Sequence, residues 1–267
     1  MPKKSTRYLL VISDTHCGSD VGLAPVEFKT QKGNIVSHGA NALQAWLWAT
    51  YQKCLKDAYD IIGRNSFNLL INGDAIEGIH HRSPEVISQY WDEHLAMAEE
   101  CLTPVAKKAN ETYVVKGTEC HTLNLEDALA SRLGAVEGTA KEKWLFKMND
   151  HLIDATHHIS ATQRAYLEGS ALSIFMGNAR QNYARAKHEI PHIFLRAHRH
   201  TPGFYSDGRS CISVTGAFQG LTRYGHKVVP DALPCPSVSL YEWRNFALPT
   251  HHLICYDKPQ ERIRQAT

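Results

Sequence analysis

Apolar residues along this chain fall into two patterns. The first is the short unbroken run of a strand buried on both faces, as in Tyr8-Leu9-Leu10-Val11-Ile12 and in residues 67–72. Residues 112–116 and 192–197 read the same way. The second is helical spacing. Leu43, Trp46, Leu47, Thr50, Cys54, Leu55 and Ala58 recur at i, i+3, i+4 and predict a helix over 41–60. Ser83 followed by Pro84 has the form of a helix start, which predicts a helix to about Lys108 with a kink or break near Pro104. Asn124 is placed to cap a short helix ending at Gly134. Residues 161–188 read as helix, weakest at Gly169 and Gly177.

Turn chemistry supplies the rest. Trp144–Met148 and His151–Thr156 form a hairpin pattern around Asn149-Asp150. Residues 17–40 are rich in Gly and polar residues and predict a long loop, with room for a small hairpin turning at Gln31-Lys32-Gly33-Asn34. Cys211–Thr215, Ser237–Trp243 and His252–Tyr256 make the last part β-rich. The order is therefore α/β, closing in β. No repeat, low-complexity tract or linker interrupts it, and the chain reads as one domain over 1–267.

Bulk properties exclude several classes. At 267 residues the chain can bury a large core. A net charge of +2 makes no strong field toward nucleic acid or membrane. Seven cysteines without regular spacing do not form a disulfide framework. The basic start, Met1 to Arg7, leads into an apolar run too short for a secretion signal, and no stretch reaches the length of a membrane span. The expectation is a soluble cytoplasmic protein with no membrane partner.

Sixteen histidines then change the picture. Asp14 and His16 follow the first strand, and His198 and His200 follow the strand at 192–197. Spacing of two puts both members of each pair on one side of the chain. Gly73-Asp74, Gly117-Thr118-Glu119-Cys120-His121 and His157-His158 also follow predicted strands. Ligands of α/β sheets gather beyond the carboxyl ends of strands. Five such ends would pool imidazoles and carboxylates, the composition of a transition-metal site.

In this order the motifs resemble those of the calcineurin-like metallophosphoesterases: D-x-H, G-D, G-N-H, a lone H, and G-H-x-H. Here they stand as Asp14/His16, Gly73-Asp74, Gly117 to His121, His157, and Ala197-His198-Arg199-His200. The resemblance spans residues 8 to about 200 and resembles bacterial and phage-type members most. It implies a four-layer α/β/β/α sandwich of two mixed β-sheets, with the site at the carboxyl ends of the strands.

It also implies two divalent transition ions (Mn, Fe, Zn or Ni), about 3.5–4 Å apart. Asp74 would bridge them, with Asp14, His16 and His200 on one ion and His157, His198 and Glu119 on the other. A metal-bound hydroxide would attack phosphorus, and His121 would protonate the leaving oxygen or stabilise charge. His158 competes with His157 for the lone-histidine role, and His157, which follows the strand directly, is favoured; Thr118 competes with Glu119 because the family asparagine is missing here. The protein-phosphatase arginine is also missing: Gly-Asp continues as Ala75-Ile76-Glu77, and Arg82 is out of register. With the long polar loop 17–40, this favours a phosphodiesterase. The substrate would be a phosphoester, with nucleotide and nucleic acid among the candidates. A nuclease of the same superfamily and a non-catalytic metal-binding scaffold are the alternatives; oligomeric state is left open.

Overall fold

The computed structural model describes residues 6–79, 84–122, 125–159, 168–228, 235–244 and 247–257. Its strands are β1 (Tyr8–Ile12), β2 (Glu27–Lys29), β3 (Ile35–Ser37), β4 (Phe67–Asn72), β5 (Thr112–Val115), β6 (Ala140–Lys141), β7 (Trp144–Met148), β8 (His151–Ala155), β9 (Ile193–Arg196), β10 (Gly203–Ser206), β11 (Cys211–Val214), β12 (Ser237–Glu242) and β13 (Thr250–Cys255). Its α-helices are α1 (Ala42–Ile62), α2 (Trp91–Ala106), α3 (Glu119–Thr122), α4 (Leu125–Arg132), α5 (Glu168–Arg185) and α6 (Arg223–Val228).

Two mixed sheets stack face to face. The first runs β13-β12-β1-β4-β5-β6, with β1, β4, β5 and β6 parallel and β12 antiparallel to both its neighbours, β1 and β13. The second runs β10-β11-β9-β8-β7, with β8, β9 and β11 parallel. The alternation of β1 sorts its side chains. Leu9 and Val11 point between the sheets, meeting Ile153, Ile193 and Leu195. Leu10 and Ile12 point outward to Leu47, Tyr51 and Leu55 of α1 and to Leu102 of α2. On the far side, Phe194, Ile212 and Val214 pack under Leu172 and Met176 of α5. The layers are α/β/β/α, as expected. No helix among the described residues is long and apolar enough to cross a membrane.

Local signals account for most element ends. Asn41 caps α1, its Oδ1 accepting from the amides of Leu43 (3.1 Å) and Gln44 (3.2 Å). The small hairpin forms as β2 and β3, turning at Gly33 with φ +82°. One expectation is corrected: the second helix begins at Trp91, not near Pro84. Residues 85–87 spend their backbone groups on the loop after β1 instead, through Ile87 N–H to Gly18 O (2.8 Å) and Asp20 N–H to Glu85 O (3.2 Å). Pro104 lies inside α2, which ends two residues later at Ala106. Ser83 and Asn124 lie outside the described residues, as do His80, His81 and Arg82.

Candidate metal centre

The carboxyl ends of β1, β4 and β5 in one sheet and of β8 and β9 in the other open toward the same place, and the loops leaving them are tied together. The Asp14 amide donates to Gly73 O (3.1 Å), the His16 amide to Asp74 O (3.0 Å) and the Ala197 amide to His157 O (2.8 Å). These bonds hold an unusual backbone. Asp14, His16, Asp74, His198 and His200 all have positive φ, between 44° and 72°. Non-glycine residues there cost of order 1–3 kcal/mol each and cluster at functional sites. The strain re-aims each side chain from the strand direction into the cleft.

Asp14 is the buried centre. Its Oδ2 accepts from Ser13 Oγ (2.5 Å) and weakly from the His198 amide (3.4 Å). Its Oδ1 is buried without a well-formed hydrogen bond. Three imidazole nitrogens surround that oxygen: His200 Nε2 at 3.4 Å, His157 Nε2 at 3.8 Å and His16 Nε2 at 3.9 Å. The Nε2 atoms of His16 and His200 face each other at 3.2 Å. Asp74 adjoins them. Its Oδ1 accepts from the Thr118 amide (2.6 Å), and its Oδ2 accepts from His157 Nε2 (2.9 Å) and Thr118 Oγ (3.1 Å), with His198 Nδ1 at 3.9 Å.

An orphaned buried carboxylate oxygen ringed by imidazole nitrogens fits a cation. Electrostatics agree. Burial, the largest influence, would raise the carboxyls of Asp14 and Asp74, but the His157 charge together with the neighbouring imidazoles (His200 for Asp14, His198 and His16 for Asp74) holds both low. Burial would lower His157, but Asp14 and Asp74 lift it to about 10. Burial likewise opposes a charge on His16, but its bond to Glu77 and the surrounding carboxylates lift it to about 9. The carboxylates draw positive charge to their centre. Among the described residues, the groups able to hold an ion are Asp14/His16/His200, Asp14/Asp74/His157, His157/His158/His198 and His16/Glu77/His121.

Six predicted ligands, Asp14, His16, Asp74, His157, His198 and His200, thus come together. Glu119 does not: it is exposed, opens α3, and stands in none of those groups. Thr118 takes the inner position instead, its hydroxyl between Asp74 Oδ2 and His198 Nδ1 (3.3 Å). His121, in α3, lies beside the cluster. Its Nδ1 donates to Glu77 O (2.9 Å) and its ring stands edge-on to His16, centroids 4.9 Å apart. Burial and the neighbouring His16 charge lower it to about 4.

Sequence reasoning missed the supports. Buried Glu77 receives His16 Nδ1 (2.8 Å) and Gln219 Nε2 (3.0 Å), fixing the ring so that Nε2 faces the cleft. Buried Glu126 of α4 accepts from the amides of Gly117 (2.6 Å) and Ala75 (3.3 Å), joining the loops that carry Thr118 and Asp74. Its own carboxyl rises to about 8 by burial and by the charge of Asp74. The available signal for Glu126 was an acid at i with Leu129 and Ala130 at i+3 and i+4, on the apolar stripe of its helix. Glu77 gave a weaker one, three residues after Asp74.

No protein-family model matches the sequence, and no curated protein is similar to it. Solved structures are similar at the level of the chain path. Vacuolar protein sorting 29 from Cryptosporidium parvum is 13% identical, with 96% of this chain and 100% of that chain covered and a TM-score of 0.45. A novel archaeal phosphodiesterase is 8% identical, with 93% and 99% covered and a TM-score of 0.43. The zinc complex of Vps29 from Entamoeba histolytica is 14% identical, with 94% and 98% covered and a TM-score of 0.41. Likeness of this size does not speak to the chemistry, which rests on the residues above.

Proposed function

We propose that this chain is a metal-dependent hydrolase of phosphoric esters, of the calcineurin-like metallophosphoesterase type, acting on a phosphodiester. The observation that carries the reading is the orphaned Asp14 Oδ1 within 3.9 Å of three imidazole Nε2 atoms, with Asp74 beside them. Asp14, His16 and His200 would hold one divalent ion, His157 and His198 a second, and Asp74 would lie between. Two such ions would clamp phosphoryl oxygens and acidify a water molecule.

The chain's own groups do the rest. His121 is tied through Nδ1 to Glu77 O, which leaves Nε2 as the atom that exchanges a proton. Its side chain is 16% exposed, so a leaving oxygen can reach it. With its one proton held on Nδ1 by Glu77 O, the ring would first take up a proton at Nε2 and then donate it to that oxygen or stabilise charge on the phosphate. Glu77 and Gln219 keep His16 from rotating. Glu126 keeps the Asp74 and Gly117 loops at fixed separation.

The test strips the protein with a chelator, restores Mn, Fe, Zn or Ni, and compares an aryl phosphodiester with the matching monoester. We expect turnover that requires metal, prefers the diester and is abolished by Asp74→Asn. A chain that binds two ions yet hydrolyses neither ester, nor a single-stranded oligonucleotide, would be a metal-binding scaffold and would overturn the reading.

A further inference from the structure

Thr118 stands where the resemblance expects an asparagine amide. Its hydroxyl is already engaged between Asp74 Oδ2 (3.1 Å) and His198 Nδ1 (3.3 Å). The fold brings another donor to the same place. His157, His158 and His198 each offer a ring nitrogen, all within 4.8 Å of one another. Their rings pair edge-on, with centroids 5.0 Å apart for His157–His158, 5.2 Å for His157–His198 and 4.6 Å for His158–His198.

This convergence needs a particular backbone. Adjacent residues of a strand point to opposite faces. Here β8 stops at Ala155 and the chain bends at His157, so both imidazoles turn toward the His198 loop. The Ala197 amide bond to His157 O (2.8 Å) holds that bend against the end of β9. His157 is buried and His158 exposed, which places His158 on the solvent side of the group.

We propose that His158 is a ligand of the second ion, giving that ion three imidazoles together with the Asp74 carboxylate. The proposal rests on the two-ion reading above. Three nitrogen donors and one carboxylate suit Zn, Ni or Fe(II), and disfavour Mn and Mg relative to a site with an amide oxygen in the third place. The two ions of this chain therefore differ in kind, the His158 site being the softer.

The experiment uses the full chain, freed of metal and titrated with Zn²⁺ and separately with Mn²⁺ against a chromophoric chelator. Wild type, His158→Ala, Thr118→Asn and the double variant are compared, with melting temperature as the check on folding. Wild type should bind two ions. His158→Ala should weaken zinc at one site by about tenfold or more, leave the other site nearly unchanged, and reduce the zinc-over-manganese preference. Adding Thr118→Asn to His158→Ala should recover much of the lost affinity. Two ions in wild type and unaltered binding in His158→Ala would overturn the His158 assignment alone. So would equal weakening of both sites, or a loss that Thr118→Asn does not repair, since both mean that His158 acts through the shape of its loop. Fewer than two ions in wild type would overturn the two-ion reading and this inference with it.

Discussion

Gly117 shows how closely the backbone wraps the Asp74 carboxylate. A Cβ there would press on Asp74 Oδ1 and on the Asp74 backbone nitrogen, nearer than real Cβ atoms approach. The nitrogen is backbone and Oδ1 is held by the Thr118 amide (2.6 Å), so the loop itself must move. Gly117→Ala should cost about 1–3 kcal/mol of stability, as overpacking does, and should lower metal content. Calorimetry and elemental analysis check both; a normal melt with full metal would mean the loop yields cheaply. At the same scale, His121→Gln should keep metal content and lower kcat by about a hundredfold or more. The loss should shrink for substrates with good leaving groups, which need little protonation. Glu119→Ala should leave metal content unchanged, because that side chain is exposed and outside the cluster.

Elements enter through two clamps behind the site. One is α4, whose Glu126 joins the Ala75 and Gly117 amides. Glu126→Ala should weaken metal binding by about tenfold while far-ultraviolet dichroism stays unchanged, the size expected for a group one step behind the ligands. The other is the junction of β8 and β9. Buried Arg196 donates through Nη1 to the carbonyls of Asp154 (2.8 Å) and Leu195 (2.7 Å), and its Nη2 meets Asp154 Oδ1 at 3.0 Å. These bonds lie just before His157 and His198. Arg196→Met should cost about 3 kcal/mol in urea unfolding. That is the low end for a broken buried pair, because Lys143 (2.8 Å) and Tyr183 (2.7 Å) still hold Asp154. A cost under 1 kcal/mol would show that the guanidinium only fills space.

The whole molecule sets the electrostatics, because the carboxylates come from one sheet and the imidazoles from both. In the ion-free chain His16 and His157 hold protons up to about pH 9 and 10. A metal ion must displace those protons. Apparent affinity should therefore rise as pH rises from 6 toward 9, with proton release on binding. Titrations at pH 6, 7 and 8 in buffers of different ionisation heat measure both. Affinity flat across that range would mean that the two rings are already neutral.

The sequence by itself determined the strands, the main helices and the chemistry at their ends. Apolar runs and helical spacing are relations between near neighbours, so β1, β4, β5, β8, β9 and α1 could be read directly, and so could the Asp14/His16 and His198/His200 pairs. The order of those elements alone read as α/β closing in β; the four layers were what the resemblance carried by the ordered motifs implied. What depends on contacts between distant segments could not be read that way. The start of α2 moved to Trp91 because residues 85–87 bond to the loop at 18–20. β10 forms at the end of its sheet, by pairing with β11 on one side. Thr118 rather than Glu119 faces Asp74, and Glu77 meets His16 across 61 positions, through loop paths fixed by packing of the β-sheet ends. Local pattern names the residues able to carry the chemistry. Only the tertiary structure brings their atoms within bonding distance, because that distance is set by how the two sheets stack and where their loops are tied.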